Sequence, residues 1–177
     1  MSMNYSYPYQ TPLGPVTVAS NGITLTGLWF PGQKYDGSHL CFAVSEITDF
    51  PIFRETVQWL DAYWEKKQPS PSDLPISFSG SVFQNKIWQL LLQIPYGNCI
   101  AYHELAQQYC AAEGLTSMSA QAVGGAVGKN PISIIVPCHR VIGAHGAMTG
   151  YAGGIGRKTA LLAHEGFLRL DSGHVSL

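Results

Sequence analysis

Asn130-Pro131-Ile132-Ser133-Ile134-Ile135-Val136-Pro137-Cys138-His139-Arg140-Val141-Ile142-Gly143 is the stretch that organises the rest of the chain. Ile132–Val136 is a β-type run closed by Pro137, so a strand is expected to deliver a cysteine and a histidine to a turn. A nucleophilic cysteine needs a base or a positive field to become thiolate near neutral pH, and His139 and Arg140 stand next to it for both purposes. Adjacent side chains diverge in strands and helices alike, so His139 is expected to reach the sulfur through a bridging water. Its other ring nitrogen then calls for a carboxylate; beyond residue 83 the choices are Glu104, Glu113, Glu165 and Asp171. From Cys-His alone, a buried cysteine beside a capping histidine is the plainer alternative.

Upstream of this stretch the pattern is helical. Ser81 is an N-cap for a helix over Val82–Gln93, with Phe83, Ile87, Leu90, Leu91 and Ile94 on one face, and Pro95-Tyr96-Gly97 stops it. A second helix is expected over Tyr102–Ala112 up to Gly114, and a third over Ser117–Gly128 up to Asn130-Pro131. Two short helices joined by a turn, with one before them, suggest a helix-turn-helix unit. Downstream, the glycine-rich Gly143–Gly156 leads to a last helix near Arg157–His164.

The first part reads differently. Residues 5–50 carry strand signals, with turns at Leu13-Gly14-Pro15 and Asn21-Gly22 around the β-branched Val16–Ala19 and Ile23–Trp29. Phe53–Lys66 follows as a helix with Phe53, Val57, Leu60 and Trp64 spaced by three and four. The polar, proline-rich residues from about 67 to 80 read as a linker, which divides the chain into 1–78 and 79–177.

With 177 residues, 46% of them hydrophobic and 12% charged, the chain can bury a sizeable core. Residues 1–82 carry four Lys/Arg against seven Asp/Glu, whereas 83–177 carry six against four and five of the six histidines. A polyanion is therefore expected to meet the second part. Cys41, Cys99, Cys110 and Cys138 form no CxxC pair or zinc-site spacing, so neither metal nor cofactor is expected. The start, Met1–Tyr9, lacks the charged and apolar regions of a signal peptide, and no apolar run is long enough to cross a bilayer. The expectation is a monomeric protein in a reducing compartment, cytoplasmic or, in a eukaryote, nuclear, without a membrane and with free thiols.

Trp88–Gly97, Ala122–Gly128, Asn130–Gly143, Gly150-Tyr151-Ala152-Gly153-Gly154 and Glu165-Gly166 together resemble the O6-alkylguanine-DNA alkyltransferases, the methylated-DNA–protein-cysteine methyltransferases. Residues 78–168 carry the resemblance strongly, and 5–66 loosely, through Thr11-Pro12-Leu13-Gly14 and the strand-then-helix order. It implies an α/β protein: a small N-terminal α/β (RNase H-like) domain, then a mainly helical winged helix-turn-helix domain. It also implies an irreversible, single-turnover transfer of the alkyl group from O6-alkylguanine, and from O4-alkylthymine, in duplex DNA to Cys138. Under that resemblance His139, with a water and Glu165, generates the thiolate, and Asn130 holds the active-site backbone. Tyr102 and Lys158 donate to the departing guanine. Gly150, Tyr151, Ala152 and Gly153 line the lesion pocket, and backbone groups around Cys138 and Val141 read the base edge. Small residues at 150 and 152 further predict a pocket that admits groups larger than methyl. The lesion must leave the base stack to be reached.

The third helix is implied to enter the minor groove, with Gln121, Ala122, Gly124, Gly125, Ala126, Lys129 and Arg140 on the DNA. Two departures stand out. Where the family carries an arginine on this helix, alignment on Ala122-Val123-Gly124-Gly125 puts Gln121, and His103–Gly128 contains no Lys or Arg. Weaker duplex binding with a shallow salt dependence is the consequence. Residues 109–118 also run about five residues longer than the family's turn. Two rivals are a Cys-His-Glu hydrolase, which would turn over many times and which the adjacency of Cys138 and His139 disfavours, and a non-catalytic lesion sensor of the same fold.

Overall fold

The computed structural model describes residues 4–37, 43–44, 49–171 and 174–176. They fall into two compact units, Met1–Ser79 with Pro131–Ser133, and Gly80–Asn130 with Ile134–Leu177.

In the first unit β1 (Tyr5–Thr11) and β2 (Gly14–Ser20) form an antiparallel hairpin, and β3 (Leu25–Trp29) adds to β2 antiparallel. The short β4 (Ala43–Val44) lies parallel to β1, giving the order β3-β2-β1-β4. Thr11 closes the first turn, its hydroxyl donating to the Gly14 carbonyl at 2.7 Å and accepting from Leu13 N–H at 3.0 Å. The second turn is held by Asn21, whose side-chain oxygen accepts from Ile23 and Thr24 N–H. α1 (Pro51–Trp64) begins with proline, whose missing N–H costs nothing there. It buries Ile52, Phe53, Thr56, Trp59, Leu60 and Tyr63. The apolar stripe is thus rotated from the expected one, and Val57 and Trp64 lie on its flanks.

Residues 70–77, expected as linker, are part of this unit. Pro71–Asp73 form a 3-10 turn capped by Ser70, and the Trp59 indole donates to the Ser70 carbonyl at 2.8 Å. Leu25 donates to Pro75 and accepts from Ser77, which pairs the segment with the start of β3. An edge strand with unpaired backbone groups is satisfied this way. Pro131–Ser133 bond to Leu28 of β3 in the same manner, Leu28 N–H to Pro131 O at 2.9 Å and Ser133 N–H to Leu28 O at 2.7 Å.

The second unit is built on three helices. α2 (Val82–Leu91) starts in a capping box of Ser81 and Gln84 and buries Ile87, Trp88 and Leu91. α3 (Tyr102–Glu113) ends at Gly114, whose φ of 68° terminates the helix in the left-handed region. α4 (Ala120–Gly128) is capped by the Ser119 hydroxyl, so the third helix is three residues shorter than expected and 115–118 are loop. α3 and α4 form the anticipated helix-turn-helix pair and pack on α2. The Lys86–Glu113 ion pair ties α2 to the end of α3. β5 (Ile100–Ala101) pairs parallel with β6 (Val141–Ile142), and α5 (Ile155–His164) follows. β7 (Arg169–Asp171) and β8 (His174–Ser176) form a terminal hairpin. Among the described residues no helix is long and apolar enough to cross a membrane.

Candidate active site

Ile132–Val136 is not a strand. After Ile132 bridges Leu28 the chain turns, and Ile134 adopts a φ of 68° with its side chain fully buried. A β-branched residue in that region is strained and persists only where the surroundings impose it. Ile132, Ile134, Ile135 and Val136 are all buried, and an unbroken apolar run looks the same in sequence whether strand or buried turn. Asn130, 2% exposed, spans the turn: its amide donates to the Val136 carbonyl at 2.8 Å, and its side chain also hydrogen-bonds the Cys138 thiol. Cys138 then opens a single 3-10 turn, Cys138–Arg140.

Burial pushes the Cys138 thiol up from its ordinary value. Opposing it are the Asn130 hydrogen bond, the Lys158 charge, and the backbone N–H groups of Cys138 and His139. His139, fully buried, meets Glu165 through Nε2 at 2.6 Å. Burial lowers its pKa, Glu165 opposes that, and Arg140 and Lys158 add to it. Burial alone would raise the Glu165 carboxyl, but His139 and Arg140 override it and hold the group well below the usual carboxylate range. An ionised carboxylate only accepts, so the ring donates from Nε2, and in the neutral ring Nδ1 keeps its lone pair. Nδ1 is buried and has no hydrogen-bond partner among the described residues.

Arg140, expected on the DNA, turns its side chain inward. It is 5% exposed, and its guanidinium donates to Glu165 twice, from Nε at 2.8 Å and Nη2 at 3.0 Å, and to the Ile94 carbonyl from Nη1 at 2.6 Å. A buried cation needs such a partner, and the partner has drawn it inward.

Lys158, expected to donate to the base, has its donors on backbone carbonyls. Its side chain is fully buried and Nζ donates to the carbonyls of Val141, Thr149 at 2.8 Å and Gly150 at 3.3 Å. An ammonium has three N–H donors, so all are engaged, and the lysine staples β6 to the 149–150 loop. Burial pulls its pKa down to about 8, against the pull of Cys138 and Cys99. The Tyr102 hydroxyl lies over the same loop, 3.3 Å from the Gly150 carbonyl and 3.4 Å from that of Thr149. Burial, with Cys138 nearby, pushes it up to about 12, so it keeps its proton. Gly150 has a φ of 59°, and a Cβ there would stand 3.2 Å from that hydroxyl. Tyr151 and Ala152 are half-buried, and Gly153 is buried with its carbonyl accepting from Arg157 at 3.1 Å. Val141 gives its carbonyl to Lys158 and its N–H to the Cys138 carbonyl.

On α4 the outward residues are Ala120, Gln121, Ala122 and Gly125, with Lys129 just past the end. Nothing lies within 4 Å of a Cβ built on Gly125, so this glycine is not needed for packing. Ala126, expected on the DNA, is instead buried, and its carbonyl accepts from the Trp88 indole at 2.9 Å. Gly124 faces the Tyr102 ring. A nine-residue helix shows only one side to solvent, and the small-residue composition did not say which.

Two participants escaped the sequence reading. Gly97, read only as a helix stop, has a φ of 75° and donates its N–H to Glu165 Oε2 at 3.3 Å. Ile94 supplies the carbonyl that anchors Arg140. Backbone donors and acceptors leave no trace in residue type. Among the described residues no cluster of His, Cys, Asp and Glu has the makings of a metal site. Cys99, Cys110 and Cys138 are free thiols, and Cys41 lies outside the described residues.

Comparison with known proteins agrees at every level. The 6-O-methylguanine DNA methyltransferase families match twice: the ribonuclease-like domain over residues 3–78 and the DNA binding domain over residues 82–167. The methylated-DNA–protein-cysteine methyltransferase of Mycobacterium tuberculosis is 44% identical over 155 residues, covering 88% of each protein. That of Haemophilus influenzae is 34% identical over 172 residues, 97% of this chain and 91% of the relative. The crystal structure of Mycobacterium tuberculosis O6-methylguanine methyltransferase superposes with a TM-score of 0.79 at 41% identity, covering 92% of this chain and 93% of that one. Mycobacterium tuberculosis OGT in complex with DNA gives 0.77 at 40%, with the same coverage.

Proposed function

The chain belongs to the methylated-DNA–protein-cysteine methyltransferase family, and on that premise we propose that it repairs duplex DNA by taking the alkyl group of O6-alkylguanine irreversibly onto Cys138. O4-alkylthymine is the second expected lesion. The observation that carries the reading is the buried cluster around the sulfur: Asn130 on the thiol, and next to it His139 held by Glu165.

The chemistry follows from those groups. His139 Nδ1 takes the thiol proton through a water, since its other nitrogen is committed to Glu165. Sγ attacks the alkyl carbon; the S–C bond forms as the C–O6 bond breaks, and the electron pair leaves with the base. Tyr102, protonated and only loosely held by two long hydrogen bonds, donates to the departing guanine. One proton leaves the thiol and one reaches the base, so charge balances. Lys158 assists by holding the pocket wall, a change from its expected direct contact with the base. The thioether product has no good leaving group, so each molecule acts once.

Duplex DNA meets the Gln121, Ala122, Gly125 and Lys129 face of α4, where small side chains permit close approach to the groove. The test is intact mass after incubation with duplex containing O6-methylguanine. A gain of about 14 Da, one methylene from covalent transfer, is expected in the native protein and not in Cys138→Ala. An unchanged mass in the reduced native protein overturns the proposal.

A further inference from the structure

Arg140 stands in the family signature, but neither the DNA nor the sulfur accounts for where its side chain goes. Its three donating nitrogens are all spent inside the unit: Nε on Glu165 Oε2, Nη2 on Glu165 Oε1, Nη1 on the Ile94 carbonyl. The guanidinium also lies over the Tyr96 ring, 5.7 Å from its centre. It is thus fixed by Ile94 past the end of α2, by Tyr96 in the following turn and by Glu165 at the C-terminal cap of α5 at once.

Glu165 in turn receives four donors on two oxygens. Oε1 takes His139 Nε2 and Arg140 Nη2; Oε2 takes Arg140 Nε and Gly97 N–H. Two of the four come from Arg140, in the side-on geometry that a planar fork makes with a carboxylate. That geometry matters for the imidazole. A buried carboxylate paired with histidine alone favours an ion pair in which the ring holds the proton, and an imidazolium cannot accept another from a thiol. A permanent cation on the same carboxylate removes that preference, because two positive charges would then share one negative one.

We propose that Arg140 is a positioning residue for alkyl transfer: by gripping both oxygens of Glu165 it keeps the carboxylate ionised and aimed at Nε2, so that His139 rests as a neutral base. The inference rests on the transfer reading above and adds to it the group that sets the protonation of the histidine. The other charged or titratable groups around His139 are Lys158 on α5, Cys138 in its own turn, and Tyr96 and Cys99, which feel Glu165 and Arg140 from the turn after α2. Lys158 acts in the same sense as Arg140 on the ring, but it bonds no atom of Glu165 and cannot aim it.

The experiment has two parts on the full chain. First, side-chain nitrogen NMR of the native protein at pH 7 should show His139 protonated at Nε2 only. Second, the pH dependence of two rates is compared in native protein, Arg140→Lys and Arg140→Met: methyl transfer from O6-methylguanine duplex, and reaction of Cys138 with iodoacetamide. Lysine keeps the charge but offers no fork, and methionine keeps the stem alone. In Arg140→Met the acid limb of each profile should move up by about one pH unit, which is roughly tenfold in rate on that limb; Arg140→Lys, which keeps the charge and loses only the fork, should move it by less. A merely structural arginine would lower stability and leave the limb in place.

An unmoved limb in folded Arg140→Met, or a doubly protonated His139 in the native protein, overturns the inference. If neither variant folds, the native NMR result decides it alone. Should native protein gain no mass from lesion DNA while the iodoacetamide limb still shifts, the transfer reading falls and the role of Arg140 in setting the histidine stands.

Discussion

Replacing Lys158 by methionine separates a loop staple from a group that touches the base. The substitution keeps the buried stem and removes three hydrogen bonds, to Val141, Thr149 and Gly150. Thr149 and Gly150 are exposed, so water takes over their carbonyls; Val141 is fully buried and its carbonyl loses a partner that nothing replaces. An orphaned buried acceptor costs about 1–3 kcal/mol, reduced by whatever was spent in burying the charge. For a chain of this length about 2 kcal/mol corresponds to a loss of roughly 4–8 °C in Tm.

Function should fall further than stability. The released 149–152 loop is the proposed pocket wall, and displacement of a reacting group by ~1 Å costs on the order of 100-fold in rate. The pH dependence carries its own sign. The folded pKa of Lys158, about 8, lies below the ~10.4 of a free lysine. Between the two values the unfolded chain binds more protons, so native stability gains as pH rises from about 8 to about 10. Lys158→Met lacks that gain. Urea denaturation at several pH values, single-turnover transfer, and amide exchange of residues 149–152 measure all three. A variant with native stability and native loop protection but no transfer would refute the staple and return Lys158 to the base.

Four further outcomes are expected. Gln121→Arg places a cation on the outward face of α4; duplex affinity and repair rate should rise, and the slope of log K against log salt should steepen by about 0.9, as read by fluorescence anisotropy. Gly125→Ala meets no atom within 4 Å and should stabilise α4 by about 0.5–1 kcal/mol, yet weaken duplex binding, because the added methyl stands where the groove must approach; unaltered binding would place DNA elsewhere. Acid should destabilise the protein early: His139 and Glu165 both have folded pKa values below their ordinary ones, so the unfolded chain is the better proton acceptor. Stability measured by denaturant midpoint should start to fall below pH ~6.5 and go on falling below ~4.3, the unfolded imidazole and carboxyl values, whereas a flat profile from pH 8 to 4 would contradict the buried pair. Duplexes with O6-ethylguanine or O6-benzylguanine should label Cys138, since glycine and alanine stand at 150 and 152; total refusal of both, with methyl accepted, would show that another group narrows the pocket.

The sequence alone determined the family, the Cys138-His139 pair and, through the resemblance, the Glu165 that meets His139, the helices α2 to α4 and the hairpin at the start. Those features rest on short-range signals: a signature of adjacent residues, a cap at Ser81, turns at Gly14 and Gly22, and apolar spacing. Tertiary structure alone decided where the cations go. Arg140 and Glu165 are 25 residues apart, and Lys158 and Val141 17, and no local pattern states that a basic side chain will find its acceptor inside instead of a phosphate outside. It also decided that Ile132–Val136 turns at Ile134 instead of continuing as a strand, and that Ala126 faces Trp88. The physical reason is common to all four: burial and pairing are set by which surfaces meet in space, and spacing along the chain reports only which residues could share a face.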